Sequence, residues 1–220
     1  MALNKAKLKT DIKKVFSDMK AENAPDTLFA SGISSAIVTF VKGCSISTVD
    51  AGTVSGGVYS GSSTGSGASN MIISATDCQN TIQSACNEMK KKRQTQAEYE
   101  QYGNDYLAEE IGKGIKQMSD AIQINLVSSG TLTPPSGPVV SPYGGANNGG
   151  INCSGKDILV AGLKLTMRQM YSNREVQGFD GDDVLAGSIA DLVNTFYTTG
   201  IVNTNGEGNI AGATGTGSIS

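Results

Sequence analysis

One apolar pattern occurs three times along the chain and constrains its fold more than any other feature. Leu185, Ile189, Leu192, Val193 and Phe196 fall at i, i+4, i+7, i+8 and i+11, the spacing that gathers apolar groups on one face of an α-helix. Phe29, Ile33, Ala36, Ile37 and Phe40 repeat it. So do Leu107, Ile111, Gly114, Ile115 and Met118, where a glycine at the third contact leaves room for a neighbour.

A second helix with the same spacing precedes each of these. Leu8, Ile12, Val15, Phe16 and Met19 form the first copy, Cys78, Ile82, Ala85, Cys86 and Met89 the second, and Leu159, Leu163, Thr166, Met167 and Met170 the third. The segments joining the paired helices differ in length. Each ends in a helix-start signal, Pro25-Asp26-Thr27, Gly103-Asn104-Asp105 or Gly181-Asp182-Asp183, whose side-chain oxygens can accept from free helix N–H groups.

After each second helix comes a short β-prone run, Ser45–Val49, Ile122–Leu126 and Ile201–Thr204, and then a Gly-rich tail, Gly52–Gly67, Gly130–Gly150 and Gly206–Gly217. Apolar residues recur in these tails (Val54, Val58, Tyr59; Leu132, Val139, Val140, Tyr143; Ile210, Ile219), which predicts extended segments docked on a surface that glycine lets them approach closely. The expected fold is mainly α with minor β: three tandem repeats of helix-loop-helix-strand plus a Gly-rich extended arm. The units are 1–68, 69–150 and 151–220, forming one compact body because no helix can cover its own apolar face.

Composition narrows the chemistry. With no histidine, the chain lacks the Ser-His-Asp and Cys-His nucleophile systems and imidazole-bearing zinc sites. No Gly-rich segment carries the lysine of a phosphate loop. The net charge of −3 gives no basic footprint for nucleic acid, and the clusters Lys5–Lys20 and Lys90–Arg93 read as solvated helix and loop faces. Glu109-Glu110 and Asp182-Asp183 are adjacent carboxylates that diverge on a helix, so they are surface or capping groups. Asp180-Gly-Asp-Asp183 lacks the alternating ligands and terminal Glu of a calcium loop and reads as a cap.

Among the four cysteines, Cys78 and Cys86 sit on core faces, while Cys44 and Cys153 have no assigned role. No catalytic, cofactor-binding or metal site is expected, and no cofactor. No apolar run reaches the length of a membrane span, and a cytoplasmic site of synthesis is expected.

With the repeats laid out, the chain resembles virion structural proteins of tailed bacteriophages built from tandem helical pairs with small-residue arms. The resemblance rests on Ala2-Leu-Asn-Lys-Ala-Lys-Leu-Lys-Thr-Asp-Ile12, on Phe40-Val-Lys-Gly-Cys-Ser-Ile-Ser-Thr48 and on Gly212-Ala-Thr-Gly-Thr-Gly-Ser-Ile219. It implies a non-enzymatic head, neck or tail accessory protein. Its partners would be other virion or assembly proteins and its own copies, not nucleic acid or membrane. The Gly-rich arms would make the contacts, by adding backbone to a neighbour's sheet edge. Two other readings stand beside it: a receptor- or glycan-binding module presenting Tyr59, Tyr143 and Tyr197, and a histidine-free wall-cleaving enzyme using paired acids.

Overall fold

The computed structural model describes residues 3–22, 25–93, 99–136 and 141–220. Each apolar stripe of the sequence is the inner face of a helix. Helix α1 (Lys5–Ala21) starts at Asn4, whose side chain accepts from the Lys7 amide at 2.9 Å, and it buries Leu8, Ile12 and Phe16. Helix α2 (Pro25–Lys42) returns alongside it and buries Phe29, Ile33, Ile37 and Phe40. A short helix, α3 (Gly67–Asn70), and a two-residue strand, β3 (Met71–Ile72), lead into the second unit.

There α4 (Thr76–Arg93) and α5 (Tyr99–Asp120) form the next antiparallel pair, and α6 (Lys156–Asn173) with α7 (Gly181–Thr198) forms the third. A Cβ placed on Gly114 would lie 3.2 Å from Cys78 of the paired helix, so that glycine does leave the expected room. Helix α5 begins at Tyr99, a turn before the expected start at Gly103. Asn104 and Asp105 therefore lie inside the helix. One interior glycine costs only about 1 kcal/mol, which packing of the surrounding turns readily offsets.

The six long helices pack in a closed ring, α1, α2, α4, α5, α6, α7 and back to α1. The strands close as well. After α2 come β1 (Ser45–Val54) and β2 (Gly57–Ser66), after α5 come β4 (Gln123–Thr133) and β5 (Ser141–Asn152), and after α7 come β6 (Ile201–Gly206) and β7 (Ala213–Ile219). Each pair is an antiparallel hairpin, β1 also pairs with β7, β5 with β6 and β2 with β4, and this completes a six-stranded antiparallel barrel.

This corrects the expectation of a mainly α fold with minor β. Of the described residues 56 % are helical and 28 % strand, a mixed fold with a closed barrel. The Gly-rich segments are not arms. They are the second strands of the hairpins, and the β-prone runs before them continue well beyond their expected ends. Val139 and Val140 lie outside the described residues. Glycine matters here through close approach: a Cβ on Gly149 would stand 1.9 Å from the Asn203 carbonyl oxygen, and one on Gly217 1.8 Å from that of Ser47. Strands coiled this tightly tolerate no side chain at those points.

Because the units share one register, their core residues lie in layers of three around a common axis. Phe40, Met118 and Phe196 form one layer at the helix ends nearest the barrel. Ile46, Ile124 and Val202 form the next, at the first inward positions of the barrel, opposite Gly65, Gly149 and Gly217. At the far end Val54, Leu132 and Ile210 meet Tyr59, Tyr143 and Ala213 and seal the barrel.

Phe40 and Phe196 are 6 % and 2 % exposed. Replacing either by Ala should cost about 3–5 kcal/mol in urea unfolding. A loss below about 0.5 kcal/mol, the size of an ordinary surface change, would place these rings outside the core.

Candidate binding site

At the end of the ring away from the barrel, helices α1, α4 and α6 finish and α2, α5 and α7 begin. The ring is hollow there. A cavity of about 540 Å³ opens among all six helices. Met19, Met89 and Met170, one from each unit at equivalent positions, point into it. Below them lie Phe16, Cys86 and Met167, and Phe29, Leu107 and Leu185 form the facing set. Asp26, Lys90, Asn104 and Tyr171 add the polar groups. Lys90 Nζ stands 2.5 Å from Asp26 Oδ2, within ion-pair distance although the angle is poor for a hydrogen bond.

Ion pairs link each unit to the next at this end. Arg168 of α6 binds Asp105 of α5 through both carboxylate oxygens, and Lys164 pairs with Glu109. At the seam between the last unit and the first, α1 meets α7 through Lys5–Asp191 (2.7 Å), Lys9–Asp183 (2.9 Å), Lys13–Asp183 (2.8 Å) and Lys20–Asp182. The lysines of α1 were expected on a solvated face. Ring closure brings the carboxylates of α7 opposite them. The hydrogen bonds from Lys13 and Lys9 hold Asp183 below the usual carboxylate range, and that from Arg168 does the same for Asp105.

The other residues weighed in the sequence are scattered. Asp180 caps α7, accepting from the Asp183 amide at 3.1 Å. Glu110 pairs with Lys113 on its own helix at 3.1 Å. Tyr59 and Tyr197 are fully buried and Tyr143 is half-buried against Tyr59, so they form no exposed aromatic face. All four cysteines are free. Cys44, Cys78 and Cys153 are fully buried, and burial pushes their thiols up, that of Cys78 to about 11. Cys86 is only half-buried because it borders the cavity; burial, aided by Asp26, pushes it to about 11.

A second polar centre lies inside the barrel, where Asp50 is fully buried. Its Oδ1 accepts from Thr48 at 2.7 Å and from Asn147 Nδ2 at 2.9 Å, and its Oδ2 accepts from Ser63 at 2.5 Å and from Ser128. Tyr59 joins through Ser128 at 2.7 Å. Four donors thus converge on the two carboxyl oxygens of Asp50. The third unit contributes space: a Cβ on Gly215 would lie 2.2 Å from Asp50 Oδ1. With its oxygens committed to these donors, Asp50 is a structural group.

Sequence reasoning missed both centres. Asp50 shares the strand parity of Ile46 and Thr48, which marks an inward position once the strand is known to be long. The cavity is foreshadowed by the unequal sizes of Phe16, Cys86 and Met167 at one repeat position. Comparison with protein-family models, curated proteins and solved structures finds no match.

Replacing Asp50 by Ala strands four buried donors and should cost about 3 kcal/mol, whereas Thr48→Val, which removes one donor, should cost about 1–2 kcal/mol in the same unfolding assay. The ion pairs predict an acid response. Because Asp105 and Asp183 titrate below their unfolded value of about 3.9, their contribution is complete above that pH and is lost as pH falls through the lowered folded values. Carboxyl NMR titration should show both depressed, with Arg168→Gln returning Asp105 alone towards the ordinary value.

Proposed function

We propose that this protein is a non-enzymatic structural component of a phage or phage-like particle, a head, neck or tail accessory protein that seats its barrel against neighbouring subunits. The observation that carries this reading is the division of charge. The six barrel strands contain one charged residue, Asp50, and it is buried. Between the paired strands, the sequence segments 55–56, 134–140 and 207–212 contain one charged residue, Glu207. Every other charge lies on the six long helices or the segments that pair them. The barrel exterior is mostly Ser, Thr, Asn and Gly, with Val49 and Val127 each 73 % exposed and Val58 and Ile201 58 % and 49 % exposed.

Exposed protein surface is ordinarily about a quarter or more charged, which keeps it from associating. A rigid exterior without charge suits permanent burial against another protein, and offers little to nucleic acid or anionic membrane. No helix among the described residues is long and apolar enough to cross a membrane. The Gly-rich segments remain the contacting elements in this reading, but through their outer faces. The strands β2, β5 and β7 that they form already have a partner on both sides in the barrel, so adding a strand to a neighbour's sheet is not open to them.

Val49→Lys and Val127→Lys test this. Both sites are exposed, so each change should alter stability by no more than about 0.5 kcal/mol. Incorporation into purified particles, followed by mass spectrometry, should fall sharply for the double variant. Equal charge changes on the outer helical face, such as Leu165→Lys, should be tolerated. Undiminished incorporation of the barrel variant would refute the reading.

A further inference from the structure

The axial cavity exists because the three units differ where the fold treats them alike. In the first unit Phe16 and Phe29 stack with ring centroids 6.2 Å apart and fill their share of the ring. At the same positions the second unit has Cys86 and Leu107, and the third Met167 and Leu185. The cavity is lined mostly by apolar groups, with Asp26, Lys90, Asn104 and Tyr171 among them.

Its electrostatics select a class of ligand. Helix ends alternate around the mouth, C-termini of α1, α4 and α6 between N-termini of α2, α5 and α7, so their dipole ends offset one another. Among the described residues the two charged groups that line the cavity, Asp26 and Lys90, pair with each other, and Asp105 and Asp182 nearby pair with Arg168 and Lys20. Moving a charged ligand in among methionines would incur a desolvation cost.

We infer that the axial cavity is a binding site for a neutral hydrocarbon group, an aliphatic chain or compact apolar body held between Met19, Met89 and Met170. The volume lies within the range of about 300–1,000 Å³ that accommodates small ligands. Unbranched, polarisable methionine side chains fit irregular apolar surfaces without a fixed shape. The group can come from a free apolar molecule or from a lipid acyl chain, whose chemistry here is the same. This inference is independent of the assembly role.

The test uses the full chain and the neutral fluorophore N-phenyl-1-naphthylamine. Saturable binding to one site is expected, with displacement by 1-decanol and displacement about ten-fold weaker by decanoate and decyltrimethylammonium. Displacement by phosphatidylcholine vesicles as well would identify an acyl chain as the source, and displacement by decanol alone a free molecule. Cys86→Phe, which gives the second unit the residue of the first, should weaken the probe by about ten-fold or more with an unchanged circular dichroism spectrum.

A readout without substitution guards against misfolding of that variant. Cys86 is the one cysteine that is not fully buried, so saturating decanol should slow its alkylation by N-ethylmaleimide roughly five-fold or more, in line with occupancy of the site. Absence of saturable probe binding, charged competitors as effective as decanol, or alkylation of Cys86 indifferent to decanol would each overturn the proposal. That holds also if a peptide segment from another protein proved to fill the cavity.

Discussion

The fold depends on the chain meeting its own beginning. A single unit, two helices and a hairpin, leaves an unpaired strand edge on either side and an uncovered flank on each helix. Pairing with the next unit moves the bare edge along without removing it. Only when β7 pairs with β1 and α7 packs on α1 does every barrel strand have a neighbour on both sides and every long helix a neighbour on both flanks. At the same seam Ser220 exchanges two backbone hydrogen bonds with Ser45, at 2.8 and 3.0 Å. The ion pairs between α1 and α7 are exposed and screened by water, so each contributes little to stability. Their effect is to specify which helix α1 meets, and so the register in which the ring closes.

Within this frame, departures from threefold repetition are where the molecule acquires particular properties. The shared layers, such as Phe40, Met118 and Phe196, are interchangeable in kind and supply the core. Asp50 has Ser128 as its counterpart in the second unit, and the groups around it come from different units: Ser63 and Asn147 donate, while the equivalent Gly215 makes way. A carboxylate repeated three times at the axis could not be satisfied, because each would meet like charge in place of donors. The same divergence at Phe16, Cys86 and Met167 opens the axial cavity. Repetition accounts for the shape, and substitution within the repeat for the sites.

The two halves of the molecule have opposite surface chemistry. The helical ring carries nearly all the charge, much of it in pairs that tie units together, and its exterior is suited to water. The barrel carries no charge on its exterior, and each of its strands is paired on both sides. An assembly role draws on both: closure keeps the barrel from unspecific strand addition, and lack of charge lets it lie against protein without ions to desolvate.

Legible in the sequence were the six helices, their inner faces and the starts of α2 at Pro25 and α7 at Gly181, because helical periodicity and start signals are local and recur within a few residues. Strand content was legible only in part. Ser45–Val49 has the alternation of a strand, but the glycine, serine and threonine that follow have no side-chain pattern distinguishing a paired strand from an extended arm. What makes them strands is a partner that lies up to a whole chain away, as Ile46 pairs with Ile219. The closed ring, the cavity within it, the burial of Asp50 and the pairing of α1 lysines with α7 carboxylates were decided by tertiary structure alone. Each depends on residues from different units meeting around one axis, and local spacing holds no record of which distant edge a strand or helix will find.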